Sequence, residues 1–540
     1  MILSRSCRAR GIHHHSHNLN HALKITFSCS KRHSHSHNPT TSNDTSINND
    51  TTPEPDLPLK GIRVLELGQL IAGPFAGQLL GQFGAEIIKI EPPTTGDPLR
   101  TWRELDVDGV GPWFRSIARN KKSVGVDLRS ERGREVVRRM MRGVNRRGEG
   151  EEREGGVDVV IENFKPGTLE KWGLGPADIH PYNPSLIYTR VSGYGQTGPW
   201  AHRPGYASVC EAESGFRYIN GYPDESGKLV GAPVRPNISL GDSVAGLHAA
   251  FGTVLGLLAR QRQTLPSSSN TNGKPPFAGR IVDVSIVESM LNLMEGIIPE
   301  YDRMGKIRGP SGSSVTGIVP TNAYPCRPSS SSPSPSTPNN NSTTDPTPPT
   351  YDYVVIGGNG DSIYTRLMHA ISRPDLTHPL SSSFSTNALR VQHQDIIENA
   401  ISAWTRERTV DEVVQAMEKA GVPVGRVVDM RDVVGCEQVR ERGGVREVEV
   451  RGRVKVNSSS NGVNSNSSLG SQVGVGERDE YEERRWTVKM QSTFPVLEGV
   501  DGMPKWAGPD LGSHTDEVLR ELAGLGEEEV EELRREGVVR

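Results

Sequence analysis

The sequence predicts an α/β fold, with a doubly wound parallel sheet in a large domain and a second, smaller α/β domain. Between residues 59 and 197, short runs rich in Ile, Val and Leu alternate with turns and helical stretches. Strands that alternate with helices in this way pair in parallel. Residues 59–92 contain the first such unit, a strand, a short helix and a second strand, and crossovers of this kind begin a parallel sheet.

The elements of the large domain follow from the residue pattern. Buried strands are predicted where Ile, Val and Leu cluster, at residues 62–67, 85–90, 123–128 and 157–162 and from residue 186 onward. Helices are predicted between them, at residues 75–83, 132–142 and 168–172. The amides around Ala72 and Gly73, at the start of the first helix, favour an anionic group such as a phosphate.

The later elements are a long helix, a strand–helix pair and several amphipathic helices. Dense Ala, Gly and Leu after Gly241 predict a helix buried on most sides, with Asp242 or Ser243 as its N-cap. Strands are predicted at residues 280–287 and 351–357. Helices are predicted at residues 286–298, 362–371, 395–404, 410–420, 516–522 and 527–535.

Low-complexity tracts set the predicted domain boundaries. Residues 1–56 are predicted to be a presequence or disordered segment, residues 57–265 the large domain, and residues 266–278 a linker. Residues 279–455 are predicted to form the smaller domain, with a disordered insertion at 327–350. A second disordered insertion is predicted at 456–478, followed by a C-terminal segment, 479–540, that returns to the large domain. A chain of 540 residues is long enough for this division.

Composition limits the partners that the protein can have. The 62 basic and 65 acidic residues nearly cancel, which argues against nucleic acid as an electrostatic partner. The five cysteines are unevenly spaced and indicate neither a disulfide framework nor a metal site, so a reducing compartment is expected. No run reaches the ~18 consecutive apolar residues that a membrane span needs, so no membrane partner is expected.

The N-terminus resembles a mitochondrial presequence, which predicts a location in the matrix. Its first 43 residues contain no Asp or Glu but many Ser and His, together with several basic residues, and they lack the apolar core of a secretory signal. The basic residues are Arg5, Arg8, Arg10, Lys24, Lys31 and Arg32. A disordered tail and a metal-binding His tract remain as alternatives.

The stretch LIYTRVSGYGQTGPWAHRPGYASVCEAESG, residues 186–215, is the expected centre of the functional site. A buried strand leads into a glycine-rich turn at Gly193–Gly198, and a helix can begin at Ala207. Glycines let backbone amides approach a ligand, and ligands bind where such strands end. The turn also matches G-x-G-x-x-G, but Pro199 follows it instead of a helix start, which argues against a nicotinamide site.

Several segments together resemble the family III coenzyme A (CoA) transferases of the CaiB/BaiF type. They are LELGQLIAGPFAGQLLGQFGAEIIKIEPPTTGDPLR, ARNKKSVGVDL, VIENFKPGTLEKWGL, NPSLIYTRVSGYGQTGP, GDSVAGLHAAFGTVLGLLAR and GPDLGSHTDEVLREL. That family includes the mitochondrial succinate–hydroxymethylglutarate transferase and the methylacyl-CoA racemases. The resemblance implies a Rossmann-like large domain, an interlinked homodimer, and CoA as a substrate without any metal or other cofactor.

The resemblance also implies which residues contact CoA. The nucleotide and pantetheine would lie against Ile71, Ala72, Asn120, Lys121, Asn163, Phe164, Lys171, Gly193, Tyr194 and Gly195. The expected reaction moves CoA between an acyl-CoA thioester and a free carboxylic acid, with small dicarboxylic acids as the expected substrates. Residues 308–314, RGPSGSS, occupy the place of a mobile loop over the thioester.

The sequence departs from the family at one central position. The resemblance implies a nucleophilic Asp directly after Gly205-Tyr206, and this chain has Ala207 there. Glu211, one helical turn later on the same face, could replace it. A racemase-like acid–base pair, with His202 and Glu211 as nearest candidates, and a protein that binds CoA esters without turnover are the alternatives.

Overall fold

The computed structural model describes residues 57–143, 156–264, 279–328, 351–455, 481–500 and 504–540. The predictions for the presequence, the linker and the insertions lie outside these residues, apart from residues 327 and 328.

The strands of the described chain form two main sheets and two hairpins. They are β1 Arg63–Glu66, β2 Glu86–Glu91, β3 Lys121–Gly125, β4 Val159–Glu162, β5 Ile187–Ser192, β6 Tyr222–Pro223, β7 Leu229–Val230, β8 Ile281–Ser285, β9 Thr321–Cys326, β10 Asp352–Gly357, β11 Val424–Arg426, β12 Val445–Lys455 and β13 Tyr481–Gln491.

The α-helices surround these sheets. They are α1 Ala72–Gln82, α2 Pro112–Ile117, α3 Glu131–Arg142, α4 Thr168–Lys171, α5 Pro176–Ile179, α6 Ala207–Glu213, α7 Leu240–Thr264, α8 Ile286–Asn292, α9 Ile297–Met304, α10 Asp361–Ala370, α11 Asn387–Gln392, α12 Gln394–Arg406, α13 Val410–Lys419, α14 Met430–Gly435, α15 Glu437–Glu441, α16 Thr515–Leu522 and α17 Glu527–Arg535.

The large sheet has six parallel strands in the order β3-β2-β1-β4-β5-β8, which confirms the predicted doubly wound α/β fold. Its strands place apolar residues on both faces, and helices cover both faces. Leu65 and Val160 on one face pack with α3, α16 and α17. Val64 and Val159, which alternate with them along the strands, pack on the other face with α1 and α7.

The smaller sheet is antiparallel, in the order β11-β10-β9, and has a separate apolar core. Val354 and Ile356 of β10 pack there against Leu367 of α10, Ile401 of α12 and Met417 of α13. The β12–β13 hairpin, which the sequence analysis did not predict, meets the large domain through Trp486, whose Nε1 donates to Asp106 Oδ2 at 2.8 Å.

Three sequence predictions are wrong in detail. The strand Ile281–Ser285 belongs to the large sheet, beside β5, and not to the smaller domain. The helix predicted at 286–298 ends at Asn292 because Glu295 adopts a left-handed backbone conformation, with φ of 47°, and a new helix begins at Ile297. Helix α7 begins at Leu240, so Asp242 lies within its first turn and is not its N-cap.

Helix α7 is long and apolar enough, by length and composition, to cross a membrane. In this fold one side of it packs against α1, β5, β8 and α8. Ala245 and Ala249 lie in the core under the large sheet, whereas Leu247 and Phe251 are exposed. About a third of its apolar window, 33%, is buried, and the rest leaves an exposed apolar side.

Candidate active site

The carboxyl ends of β1 and β4 meet at one edge of the large sheet, where two predicted CoA-binding segments are joined. Asn163 Oδ1 accepts from the Gln69 amide at 2.9 Å, and Asn163 Nδ2 donates to the Gln69 carbonyl at 2.8 Å. A Cβ on Gly68 would lie 2.8 Å from Asn163 Oδ1, so only glycine fits there. The loop that carries Ile71 and Ala72 is therefore fixed by the loop after β4.

A buried charge network lies beneath this loop. Glu66 Oε1 accepts from Lys89 Nζ at 3.1 Å, and Glu66 Oε2 accepts from Lys121 Nζ at 2.7 Å. Lys89 Nζ also lies 2.8 Å from Asp97 Oδ2 and donates to the Gly68 carbonyl at 2.8 Å. A Cβ on Gly77 would overlap Glu66 Oε2, which explains why α1 carries glycine at that position.

Burial acts to lower the pKa of both lysines in this network, whereas pairing with carboxylates acts to raise it. Burial lowers the pKa of Lys121 to about 8, although Glu66 opposes the shift. Burial also acts to lower the pKa of Lys89, but Asp97 and Glu66 outweigh it, and the pKa of Lys89 is raised above its ordinary value. The Lys121 ammonium is held by Glu66 and by the Pro74 carbonyl at 2.6 Å. It therefore lies under the start of α1 and not on the surface.

The remaining predicted nucleotide contacts lie in different surroundings. Asn120 stands at the start of β3, on the edge opposite the carboxyl ends, with φ of 59°. Its Oδ1 accepts from the Lys505 amide at 2.7 Å. Phe164 packs edge-on against Trp172, with ring centroids 5.3 Å apart, and Lys171 is exposed at the end of α4. Phe164 thus joins Asn163 at the carboxyl edge, whereas Asn120 does not.

The glycine-rich turn after β5 packs closely against the start of α6. A Cβ on Gly193 would lie 3.2 Å from Cys210 Sγ, and a Cβ on Gly205 would lie 2.9 Å from Tyr194 Cε2. Gly195 adopts φ of 87° and its amide donates to Ser192 Oγ at 3.0 Å. These close approaches explain the requirement for glycine and place the turn directly beside Gly205 and Cys210.

Tyr194 belongs to a polar cluster at the outer side of this turn. Its hydroxyl donates to Glu213, and that hydrogen bond raises the pKa of Tyr194 to about 12. Arg203 Nη2 donates to the other oxygen of Glu213 at 2.9 Å, and Trp200 packs edge-on against Tyr194 at 5.8 Å. Both oxygens of Glu213 are therefore engaged.

Ala207, Cys210 and Glu211 share the buried face of α6. Ala207 is 4% exposed, whereas Tyr206, the N-cap residue, is largely exposed. Burial raises the pKa of the Cys210 thiol to about 12, so the thiol is protonated at neutral pH and is a poor nucleophile.

Glu211 is completely buried and both of its carboxylate oxygens are occupied. Oε2 accepts from Arg217 Nε at 2.9 Å, and Oε1 accepts from the Gly241 amide at 3.1 Å. Glu211 thus ties α6 to the start of α7. The substitution of Glu211 for the family nucleophile stays a prediction, and it requires the carboxylate to leave both partners. His202, the predicted partner in a racemase-like pair, is exposed.

The predicted loop over the thioester is a compact turn in this structure. Ser311 and Ser314 exchange hydrogen bonds between their hydroxyls and backbone carbonyls, at 2.7 and 2.8 Å. The Gly312 amide donates to the Gly221 carbonyl at 2.9 Å, which fixes the turn next to the β6–β7 hairpin. The movement of this loop stays a prediction.

The fold and this site define a class of protein, and comparison with known proteins agrees. Residues 59–468 match the model of CoA-transferase family III, and the chain belongs to that family. It is 36% identical over 486 residues to succinyl-CoA–D-citramalate CoA-transferase of Chloroflexus aurantiacus, covering 90% of this chain and 99% of that protein.

Two further known proteins are similar to this chain. The mouse succinyl-CoA:glutarate CoA-transferase is 29% identical over 89% of this chain and 90% of its own length. The crystal structure of a CAIB/BAIF family protein from Brucella suis superposes with a TM-score of 0.62 at 25% identity, covering 86% of this chain and 99% of that one. The predicted family is therefore confirmed.

Proposed function

We propose that this protein transfers CoA from succinyl-CoA to a small dicarboxylic acid. The 36% identity to a succinyl-CoA–D-citramalate CoA-transferase over nearly the whole of both chains is the observation that carries the proposal. Relatives with 31% and 29% identity are named for transfer from succinyl-CoA to L-malate and to glutarate. The three acceptors are short dicarboxylic acids, and this shared chemistry supports the same substrate class here.

The CoA ester would lie along the carboxyl edge of the large sheet. The loop with Ile71 and Ala72, held by Asn163, would contact the nucleotide part of CoA. The turn at Gly193–Gly195 would then guide the pantetheine arm toward Ala207. The tight packing of these loops supports this path, because preorganised loops lose little freedom on binding.

The purified chain, mixed with succinyl-CoA and one acceptor at a time, is expected to form the acceptor's CoA ester. Glutarate, L-malate and citramalate are the acceptors to compare, with product CoA esters separated by chromatography. Formation of none of these esters contradicts the proposal. Deuterium uptake from solvent at the α-carbon of a 2-methylacyl-CoA, without transfer, would favour the racemase-like alternative.

Binding of CoA esters without turnover is a second candidate function, and the buried Ala207 favours it. A methyl group cannot attack a thioester, and Glu211 is engaged by Arg217 and Gly241. Calorimetry with succinyl-CoA separates the two functions. Tight binding together with no exchange supports the second candidate, and exchange supports the first.

A second copy of this chain is the proposed partner of the exposed side of α7. Leu247, Phe251, Val254, Leu255 and Leu258 form one apolar stripe at helical spacing, and each is more than a third exposed. Apolar stripes of this size on folded proteins mark protein contacts. The stripe supports the homodimer that the family resemblance implies.

Phe251→Glu is expected to convert the dimer to a monomer, because it places a charge in the middle of the apolar stripe. Light scattering coupled to gel filtration measures the mass directly. Arg262→Glu, at the far end of the same helix, is the control and is expected to remain dimeric. A Phe251→Glu variant with the mass of the dimer contradicts this interface.

The mitochondrial matrix is the proposed location. The support is the acid-free, Arg- and Ser-rich start of the chain. A fluorescent protein fused behind residues 1–58 is expected to enter mitochondria, and replacement of Arg5, Arg8 and Arg10 by Glu is expected to abolish entry. A diffuse signal from the unmodified fusion contradicts this location.

A further inference from the structure

Asp242 lies where α7 meets the buried face of α6. The contact is close, because a Cβ on Gly241 would lie 3.4 Å from Ala207 Cβ and 3.3 Å from Glu211 Cγ. Asp242 follows Gly241 in the first turn of α7 and is half-buried. Burial, and then the charges of Glu213 and Asp242, raise the pKa of Cys210, and burial, followed by the charge of Glu211, raises the pKa of Asp242. Asp242 is therefore one residue from the contact between α7 and Ala207.

Asp242 differs from the neighbouring carboxylates in having no hydrogen-bond or ion-pair partner among the described residues. Glu211 is held by Arg217 and the Gly241 amide, and Glu213 is held by Tyr194 and Arg203. The Asp242 carboxylate accepts no hydrogen bond and forms no ion pair within the described chain. A half-buried carboxylate without a partner reduces stability, and such a cost is typical of groups kept free for chemistry.

We propose that Asp242 is the carboxylate that attacks the acyl-CoA thioester in this chain. The inference rests on the CoA-transfer function proposed above and assigns the nucleophile for it. The Asp242 oxygen forms a bond to the thioester carbonyl carbon, the C–S bond breaks, and CoA leaves as the thiolate. The product of this step is a mixed anhydride between the acyl group and Asp242.

The remaining steps return Asp242 to its starting state. The CoA thiolate attacks the Asp242 carbonyl of the anhydride, which releases the donor acid and leaves CoA on Asp242 as a thioester. The acceptor carboxylate attacks this thioester, and a second anhydride and free thiolate form. Attack of the thiolate on the acceptor carbonyl gives the new CoA ester and the free Asp242 carboxylate.

The surroundings of Asp242 suit this role. Burial, and then the charge of Glu211, raise the pKa of Asp242 to about 6, and Arg235 opposes the shift. The titratable groups that face it are therefore Glu211 and Cys210 on α6 and Arg235 in the preceding loop. Only the ionised form attacks, so turnover is expected to rise with pH through about 6.

The raised pKa of Asp242 also predicts how ionisation of this residue affects the stability of the fold. The pKa in the folded state is above that in the unfolded chain, so ionised Asp242 destabilises the fold above pH ~6 and has no effect below pH ~4. Asp242→Asn is expected to raise the melting temperature at pH 8 by about 1–3 °C and to leave it unchanged at pH 4. A residue with a purely structural role would show a lower melting temperature on substitution.

Asp242→Asn is expected to lower kcat for CoA exchange by at least about 100-fold. Glu288→Gln, which removes an exposed carboxylate from the neighbouring helix α8, is the matched control and is expected to exchange at the wild-type rate. Wild-type protein incubated with succinyl-CoA and trapped with hydroxylamine or borohydride is expected to carry the modification on the peptide that contains Asp242.

The outcomes separate this inference from the proposed function. Exchange by Asp242→Asn within threefold of wild type overturns the assignment, as does a trapped modification on Glu211. Passage of oxygen-18 from acceptor acid to donor acid in a single turnover, with no trapped protein, also overturns it, because the acceptor then attacks directly. No exchange by the wild-type protein overturns the proposed function, and the inference with it.

Discussion

Ala207→Asp is expected to raise kcat for CoA exchange by about 100-fold, because displacement of a reacting group by 1 Å can cost that much. Ala207 is the first residue of α6 and is buried against the start of α7. A carboxylate there would stand at the position that the family resemblance assigns to the nucleophile. Initial rates with saturating succinyl-CoA and acceptor measure the effect.

Ala207→Asn is the matched control, since it has nearly the same size but no charge, and no gain is expected from it. The double variant Ala207→Asp, Asp242→Asn tests whether a carboxylate at position 207 can replace Asp242. It is expected to be active although Asp242→Asn alone is not, because the new carboxylate makes Asp242 dispensable. Equal gains from Asp and Asn at position 207 would show that packing, and not a nucleophile, is responsible.

Glu66→Gln is expected to destabilise the protein by about 3–5 kcal/mol, since it leaves buried charges without their counterion. Glu66 holds Lys89 and Lys121 together, and Asp97 cannot balance both. The loop after β1, which the Lys89 ammonium binds through the Gly68 carbonyl, is expected to loosen as well. Urea unfolding measures the first effect, and the Kd for CoA measures the second.

Glu86→Gln is the control for that experiment. Glu86 lies on the adjacent strand β2, is a third exposed, and pairs with Arg63 and Lys122 near the surface. Surface ion pairs contribute about 0–1 kcal/mol, so its substitution is expected to have little effect. Equal losses for the two variants would mean that the Glu66 network adds no stability beyond an ordinary ion pair.

The sequence predicted the sheet because its strands are short segments rich in Ile, Val and Leu separated by helices, a local pattern that needs no long-range information. It could not predict the buried charge network. Glu66 and Lys89 are paired by the register of β1 on β2, and Lys121 reaches them from a third strand. The family resemblance implies that Lys121 contacts CoA, and only the tertiary structure places its ammonium beneath α1.

Local sequence patterns also failed to predict the tertiary contacts of the candidate site. The four-residue spacing correctly placed Glu211 on the face of Ala207, since this follows from helical geometry alone. Its partners could not be predicted, because Arg217 lies beyond the end of α6 and the Gly241 amide is 30 residues away. The β12–β13 hairpin was missed because a polar tract separates the strands, and local patterns do not show which strands pair.

Helix α7 carries Asp242 at its first turn and the apolar stripe along the rest of its outer side. One helix thus connects the proposed nucleophile to the proposed contact between subunits. Without the proposed second copy, the helix lacks support on its outer side, and the proposed nucleophile in its first turn is held less firmly. Catalytic output per chain is therefore expected to fall in the Phe251→Glu variant, in step with the loss of associated subunits.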